Sequence, residues 1–164
     1  MKSKSKVLVA YYSRTGHTER AAKDLSIALN ADIEKITDKT NRKGILGYIF
    51  GGRDALTKRK TGIEKFIHNP IHYSLIIIGT PIWRGNITPA VRTYIGKVKQ
   101  DIKNYAFFIT SGNTDSEKII NPITEIIHKK PIAHAGFNSG EQLNKEIYNK
   151  KLAAFVNDIK KQLK

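Results

Sequence analysis

Apolar residues in this chain gather in short unbroken runs, separated by stretches where they recur every three or four positions. The first run, Lys6-Val7-Leu8-Val9-Ala10-Tyr11-Tyr12, is continuous rather than alternating, which suits a strand buried on both faces of a parallel sheet. From Thr18 the apolar positions fall at Ala21, Ala22, Leu25 and Leu29, the stripe of an amphipathic helix. A weaker strand is expected near Asp32–Ile36. The long stretch from Asp38 to Pro70 is mixed; Gly44 to Leu56 reads either as a helix with a break or as a structured excursion, because three interior glycines weaken a continuous helix. Tyr73-Ser74-Leu75-Ile76-Ile77-Ile78-Gly79 is the strongest strand and should be central. After a loop bearing Pro and Gly, Thr88 as N-cap and Pro89 at the first helical position open another helix. A fourth strand covers Tyr105 to Thr110, and Ser111 to Asp115 is a polar loop. Ile119, Ile120, Ile123, Ile126 and Ile127 then share one helical face. Pro131 to Phe137 is the fifth strand, and a closing helix from about Gly140 aligns Tyr148, Leu152, Phe155, Ile159 and Leu163.

Strands alternating with helices imply βαβ units, right-handed crossovers and a mostly parallel sheet with helices on both faces, in one domain over residues 1–164. Ligands in such sheets lie beyond the carboxyl ends of the strands, at the point where strand order reverses. Function is therefore expected in the loops after Tyr12, after Gly79 and after Thr110.

Composition narrows the chemistry. With 164 residues, 40% of them hydrophobic, the chain is long enough for one full core. No apolar stretch approaches the ~20 residues of a membrane span. The apolar run after the basic start Met1–Lys6 is too short for a secretory signal, so a cytoplasmic location is expected. The absence of cysteine removes thiolate nucleophiles, CxxC redox pairs and Cys-ligated metals, so redox work would need a borrowed cofactor. His17, His68, His72, His128 and His134 form no HExxH pattern, and no metal site is expected. The net charge of +15 invites a nucleic-acid reading. The lysines are spread along the chain, however, and no helix-turn-helix, RRM, KH or zinc-finger pattern accompanies them. They are densest between Lys39 and Lys65, a stretch able to touch phosphates or an acidic partner.

The first loop, Ser13-Arg14-Thr15-Gly16-His17-Thr18, is rich in hydroxyls and leads directly into a helix. Free N–H groups and the positive end of the helix dipole complement a phosphate there, while Gly16 admits close backbone approach. The loop lacks the Gly-Lys-Ser/Thr of a Walker A motif and is not GxGxxG, so a phosphomonoester fits better than a nucleoside triphosphate. The competing reading is a helix start whose Ser and Thr only satisfy backbone donors. The second loop, Thr80-Pro81-Ile82-Trp83-Arg84-Gly85-Asn86, holds the only tryptophan, suited to stacking on a planar ligand or to packing beneath the loop.

Together, Tyr12 to Thr18, Gly79 to Trp83 and Thr110-Ser111-Gly112-Asn113 resemble the three FMN-binding loops of the flavodoxin family, over nearly the whole chain. The resemblance implies a flavodoxin-like, doubly wound three-layer α/β/α sandwich with a five-stranded parallel sheet in the order 2-1-3-4-5. It implies that Ser13, Arg14, Thr15, Gly16, His17 and Thr18 hold the FMN phosphate. Thr80, Pro81, Ile82, Trp83, Arg84, Gly85 and Asn86 would line the isoalloxazine, and Ser111, Gly112 and Asn113 would border its other side. Gly51-Gly52-Arg53-Asp54-Ala55-Leu56 is similar to a segment of small prokaryotic flavodoxin-like proteins. Two departures stand out. The third loop lacks the aromatic that often covers the outer flavin face, and the chain is basic where classical flavodoxins are acidic.

The implied function is electron transfer through FMN, with no catalytic residue of the chain's own. The expected partner is an acidic redox protein, such as a ferredoxin-like carrier or a reductase, met by a monomer or weak homodimer. An FMN-dependent NAD(P)H:quinone or flavin reductase is the alternative, and a basic nucleic-acid-binding module the distant one.

Overall fold

The computed structural model describes residues 6–40, 53 and 60–163. The expected helix or excursion over Gly44–Leu56, and the segment Gly51–Leu56, therefore lie almost wholly outside the described residues. Five parallel strands form the sheet: β1 (Val7–Tyr11), β2 (Asp32–Lys35), β3 (Leu75–Trp83), β5 (Tyr105–Ser111) and β6 (His134–Asn138). Their order is β2-β1-β3-β5-β6, with a two-residue strand β4 (Asn86–Ile87) antiparallel to the end of β3. Counting parallel strands alone, this is the expected 2-1-3-4-5 arrangement.

Register and burial explain the continuous apolar runs. Val7 to Tyr11 pairs residue for residue with Leu75 to Gly79, and Ile76 to Pro81 pairs with Tyr105 to Thr110. Because these strands are covered on both faces, successive residues feed opposite cores. Leu8, Ala10, Ile76 and Ile78 join one core with α2 (Pro89–Val98) and α3 (Glu117–Ile127), through Val91, Tyr94, Ile119 and Ile123. Val7, Val9, Tyr11 and Ile77 join the other with α1 (His17–Leu29) and α5 (Lys145–Gln162), through Ala21, Leu25, Phe155 and Ile159. Gly79 is required by packing: a Cβ there would meet the Phe108 ring at 2.3 Å.

Two local expectations are corrected, and a third, the N-cap at Thr88, holds in position. The segment after Gly79 is not simply a loop: β3 runs on to Trp83 and turns back through Arg84 and Gly85, at φ 48° and 76°. Two successive positive φ values make the tight turn whose twist matches a hairpin, which the sequence Arg-Gly does not advertise. Thr88 occupies the N-cap position of α2, with Pro89 following, but its side chain makes no capping bond; its hydroxyl lies 3.4 Å from that of Thr80. The closing helix is broken: a short α4 (Ser139–Leu143) ends at Asn144, whose side chain accepts from the N–H groups of Glu146 and Ile147 and so starts α5 anew. No helix among the described residues is long and apolar enough to cross a membrane.

Candidate functional site

β1 and β3 diverge at their carboxyl ends, because the chain leaves β1 for a helix on one face and β3 for a helix on the other. Pairing between them stops at Tyr11 and Gly79, while β3 continues alongside β5. The crevice left there opens into a cavity of about 290 Å³. Arg14, Thr15, His17 and Thr18 line it from the first loop, and Pro81, Ile82 and Trp83 from the end of β3. Ser111 and Gly112 line it from the third loop. Nine of the residues singled out in the sequence thus meet around one cavity.

The others do not line it. Gly16 sits at the N-cap of α1 with φ 96°, a conformation that favours glycine, and its N–H donates to the Ser13 hydroxyl at 3.1 Å. Those two residues shape the loop. Thr80 is fully buried, its hydroxyl donating to the Pro81 carbonyl at 2.9 Å. Arg84, Gly85 and Asn86 form the hairpin tip, and Asn113 lines a neighbouring cavity with Asp115, Glu141 and Lys151.

Three lining residues were not anticipated, Phe137, Ser139 and Gln142, and a fourth, Thr110, stood in the third-loop motif without a role in the site. Thr110 closes the floor, its hydroxyl 2.7 Å from that of buried Thr18. The other three come from β6 and α4, a junction without a recognisable motif; only its position beyond a strand's carboxyl end signals it.

The first intrahelical bond of α1 runs from Arg20 N–H to Gly16 C=O at 2.9 Å. The N–H groups of His17, Thr18 and Glu19 therefore project from the helix end without a partner inside it, and no side chain caps them. Among the described residues no carboxylate lines this cavity, while Arg14 and His17 do. The nearest acid in sequence, Glu19, is tied to Lys23 at 2.8 Å and Lys35 at 3.0 Å, and those bonds hold its carboxyl below the usual range. The other wall is aromatic. Trp83 is half-buried, meets Tyr12 edge-on at 5.8 Å between ring centres, and carries the Arg14 guanidinium over its face at 5.4 Å. The tryptophan packs on the core beneath and also lines the cavity.

This arrangement offers an anion site at the helix end and a flat apolar wall beside it. Among the described residues, no group of His, Asp and Glu has the geometry to hold a metal.

No family model matches the sequence, and no curated protein matches it. Solved structures do. A flavoprotein from Lactobacillus acidophilus NCFM, determined in complex with FMN, superposes with a TM-score of 0.69 at 20% identity, over 86% of this chain and 97% of that one. A candidate flavoprotein from Bacteroides eggerthii DSM 20697 gives 0.69 at 24% identity, over 92% and 98%. Flavodoxin 2 from Bacillus cereus gives 0.57 at 15% identity, over 96% and 99%. The chain has the flavodoxin-like fold.

Proposed function

We propose that this chain binds FMN in the cavity at the end of β1 and β3, and that it passes electrons between cytoplasmic redox partners. The observation that carries the reading is the lining itself: an uncapped helix end with hydroxyls and no carboxylate among the described lining residues, next to a half-buried tryptophan. These groups fit the two ends of FMN, a phosphomonoester and a planar ring. Thr15, His17, Thr18 and the free N–H groups of α1 would hold the phosphate; Pro81, Ile82 and Trp83 would face the ring, with Ser111 and Gly112 opposite. That the Lactobacillus protein of the same fold was determined with FMN supports the assignment.

Bound FMN would supply the electron chemistry, and the chain would supply orientation, shielding and local charge. The visible spectrum of the purified protein, before and after adding FMN, tests this. The expected outcome is a flavin spectrum together with quenching of Trp83 fluorescence. A protein that stays colourless with unchanged emission refutes it.

The +15 charge supports an acidic partner, because a field of that sign steers negatively charged surfaces and weakens with salt. Reduction by an acidic ferredoxin-like carrier should slow as salt rises; a rate independent of salt removes the steering argument. One observation favours a second reading, an FMN-dependent NAD(P)H:quinone or flavin reductase. Ser111-Gly112-Asn113 offers no aromatic to cover the outer side of a ring, and open space surrounds Gly112. NAD(P)H consumption on adding quinone would favour that enzyme over the carrier.

A further inference from the structure

Gln142 is one of the residues of this site that no loop motif accounts for. It stands on α4, is 3% exposed, and lines the same cavity as Thr15, His17 and Thr18. Two contacts fix it against α1. Its backbone carbonyl accepts from Arg20 Nη1 at 2.8 Å, and its Oε1 lies 3.2 Å from His17 Nδ1. The same Arg20 guanidinium also rests on the Tyr148 ring of α5 at 4.5 Å.

The other end of the carboxamide is unsatisfied. Nε2 is buried and has no hydrogen-bond partner. An amide N–H left without an acceptor in the interior costs more than an apolar group of the same shape would. The surroundings supply a use for it. His17, whose ring holds the carbonyl end, is also the first residue of the helix whose N–H groups lack acceptors. Gln142, which carries the unpaired donor, and the uncapped helix end therefore line one cavity with no carboxylate among its described lining residues, and an oxyanion would satisfy both.

We propose that Gln142 is a ligand-binding residue: its Nε2 donates to the phosphate of the bound flavin and helps select FMN over the unphosphorylated riboflavin. The assignment rests on the flavin reading above and adds to it a residue from the far end of the chain. Orientation matters, because an amide turned end for end would present Oε1, an acceptor that disfavours an anion.

The test is the dissociation constant of FMN and of riboflavin, read by flavin and Trp83 fluorescence, for the wild type, Gln142→Leu and Gln142→Glu. In Gln142→Leu the FMN constant should rise roughly 10- to 100-fold, the range for a lost hydrogen bond to a charged group. The riboflavin constant should stay put. Gln142→Glu keeps the shape but adds like charge, and should weaken FMN further still. Equal losses for both flavins would reduce Gln142 to a wall of the cavity and overturn the proposal, as would FMN binding that is unchanged or tighter. If Gln142→Leu does not fold, as judged by thermal melting without ligand, Gln142→Met decides by the same ratio of constants. A wild type that binds neither flavin overturns the FMN reading itself; a wild type that binds FMN while the variants match it overturns only the role of Gln142.

Discussion

Two turns at the same edge of the sheet lead from a strand into a helix, and they end differently. At the β6–α4 turn, Asn138 Oδ1 accepts from Glu141 N–H at 2.8 Å, and Glu141 Oε2 accepts from Asn138 N–H at 3.1 Å. Lys151 then binds the free carboxylate oxygen at 2.6 Å. That turn satisfies itself through a reciprocal cap. At the β1–α1 turn the N-cap is Gly16, which has no side chain to offer, and the one nearby hydroxyl that accepts from the backbone, Ser13, bonds Gly16 rather than the helix end. A helix start closed by its own residues contributes stability; one left open is free to hold something else.

Closing the open turn should have the largest effect. Thr15→Asp brings a carboxylate to the free N–H groups, and is expected to stabilise the ligand-free chain by ~0.3–1 kcal/mol. FMN binding should weaken by roughly 3 kcal/mol or more, from the lost hydroxyl bond and like-charge repulsion. Thermal melting and a flavin titration read the two opposite signs; parallel changes would mean that the two turns do not differ in kind. Opening the closed turn should cost less. Asn138→Ala removes the cap and is expected to destabilise the fold by about 1 kcal/mol in urea denaturation. The smallest effect is with pH. Burial pulls the Glu141 carboxyl up, but Lys151 and the Asn138 N–H outweigh it and leave it below its ordinary value. A carboxyl lowered in the folded state adds stability above the unfolded value of about 4.3, and loses it as pH falls through the folded one. Stability should therefore decline below about pH 4.3, and Glu141→Gln should flatten that decline.

The sheet was largely legible because its central strands are covered on both faces, so Val7–Tyr11, Leu75–Ile78 and Tyr105–Ile109 had to be continuously apolar. Where one residue redirects the chain, the pattern was silent. Arg84 takes a positive φ that its identity does not advertise, and Asn144 restarts a helix whose apolar stripe suggests no interruption. The site was legible on the side where it is written consecutively, from Arg14 to Thr18. It was illegible at Phe137, Ser139 and Gln142, which reach the cavity only because β6 lies beside β5. Thr80 shows the converse: placed in the site by its neighbours in sequence, its side chain belongs to the interior.

The outer strand β2 sets a limit on crowding. Among the described residues only β1 pairs with it, along four residues, Asp32, Ile33, Glu34 and Lys35, of which three are ionisable. The Glu34 carboxylate accepts from the N–H groups of Ile67 at 2.9 Å and His68 at 2.7 Å, drawing that segment against the strand. A rim so short and so charged gives a second molecule little main chain to zip onto. Copies packed closely together can therefore collide at this edge without joining their sheets into a fibre.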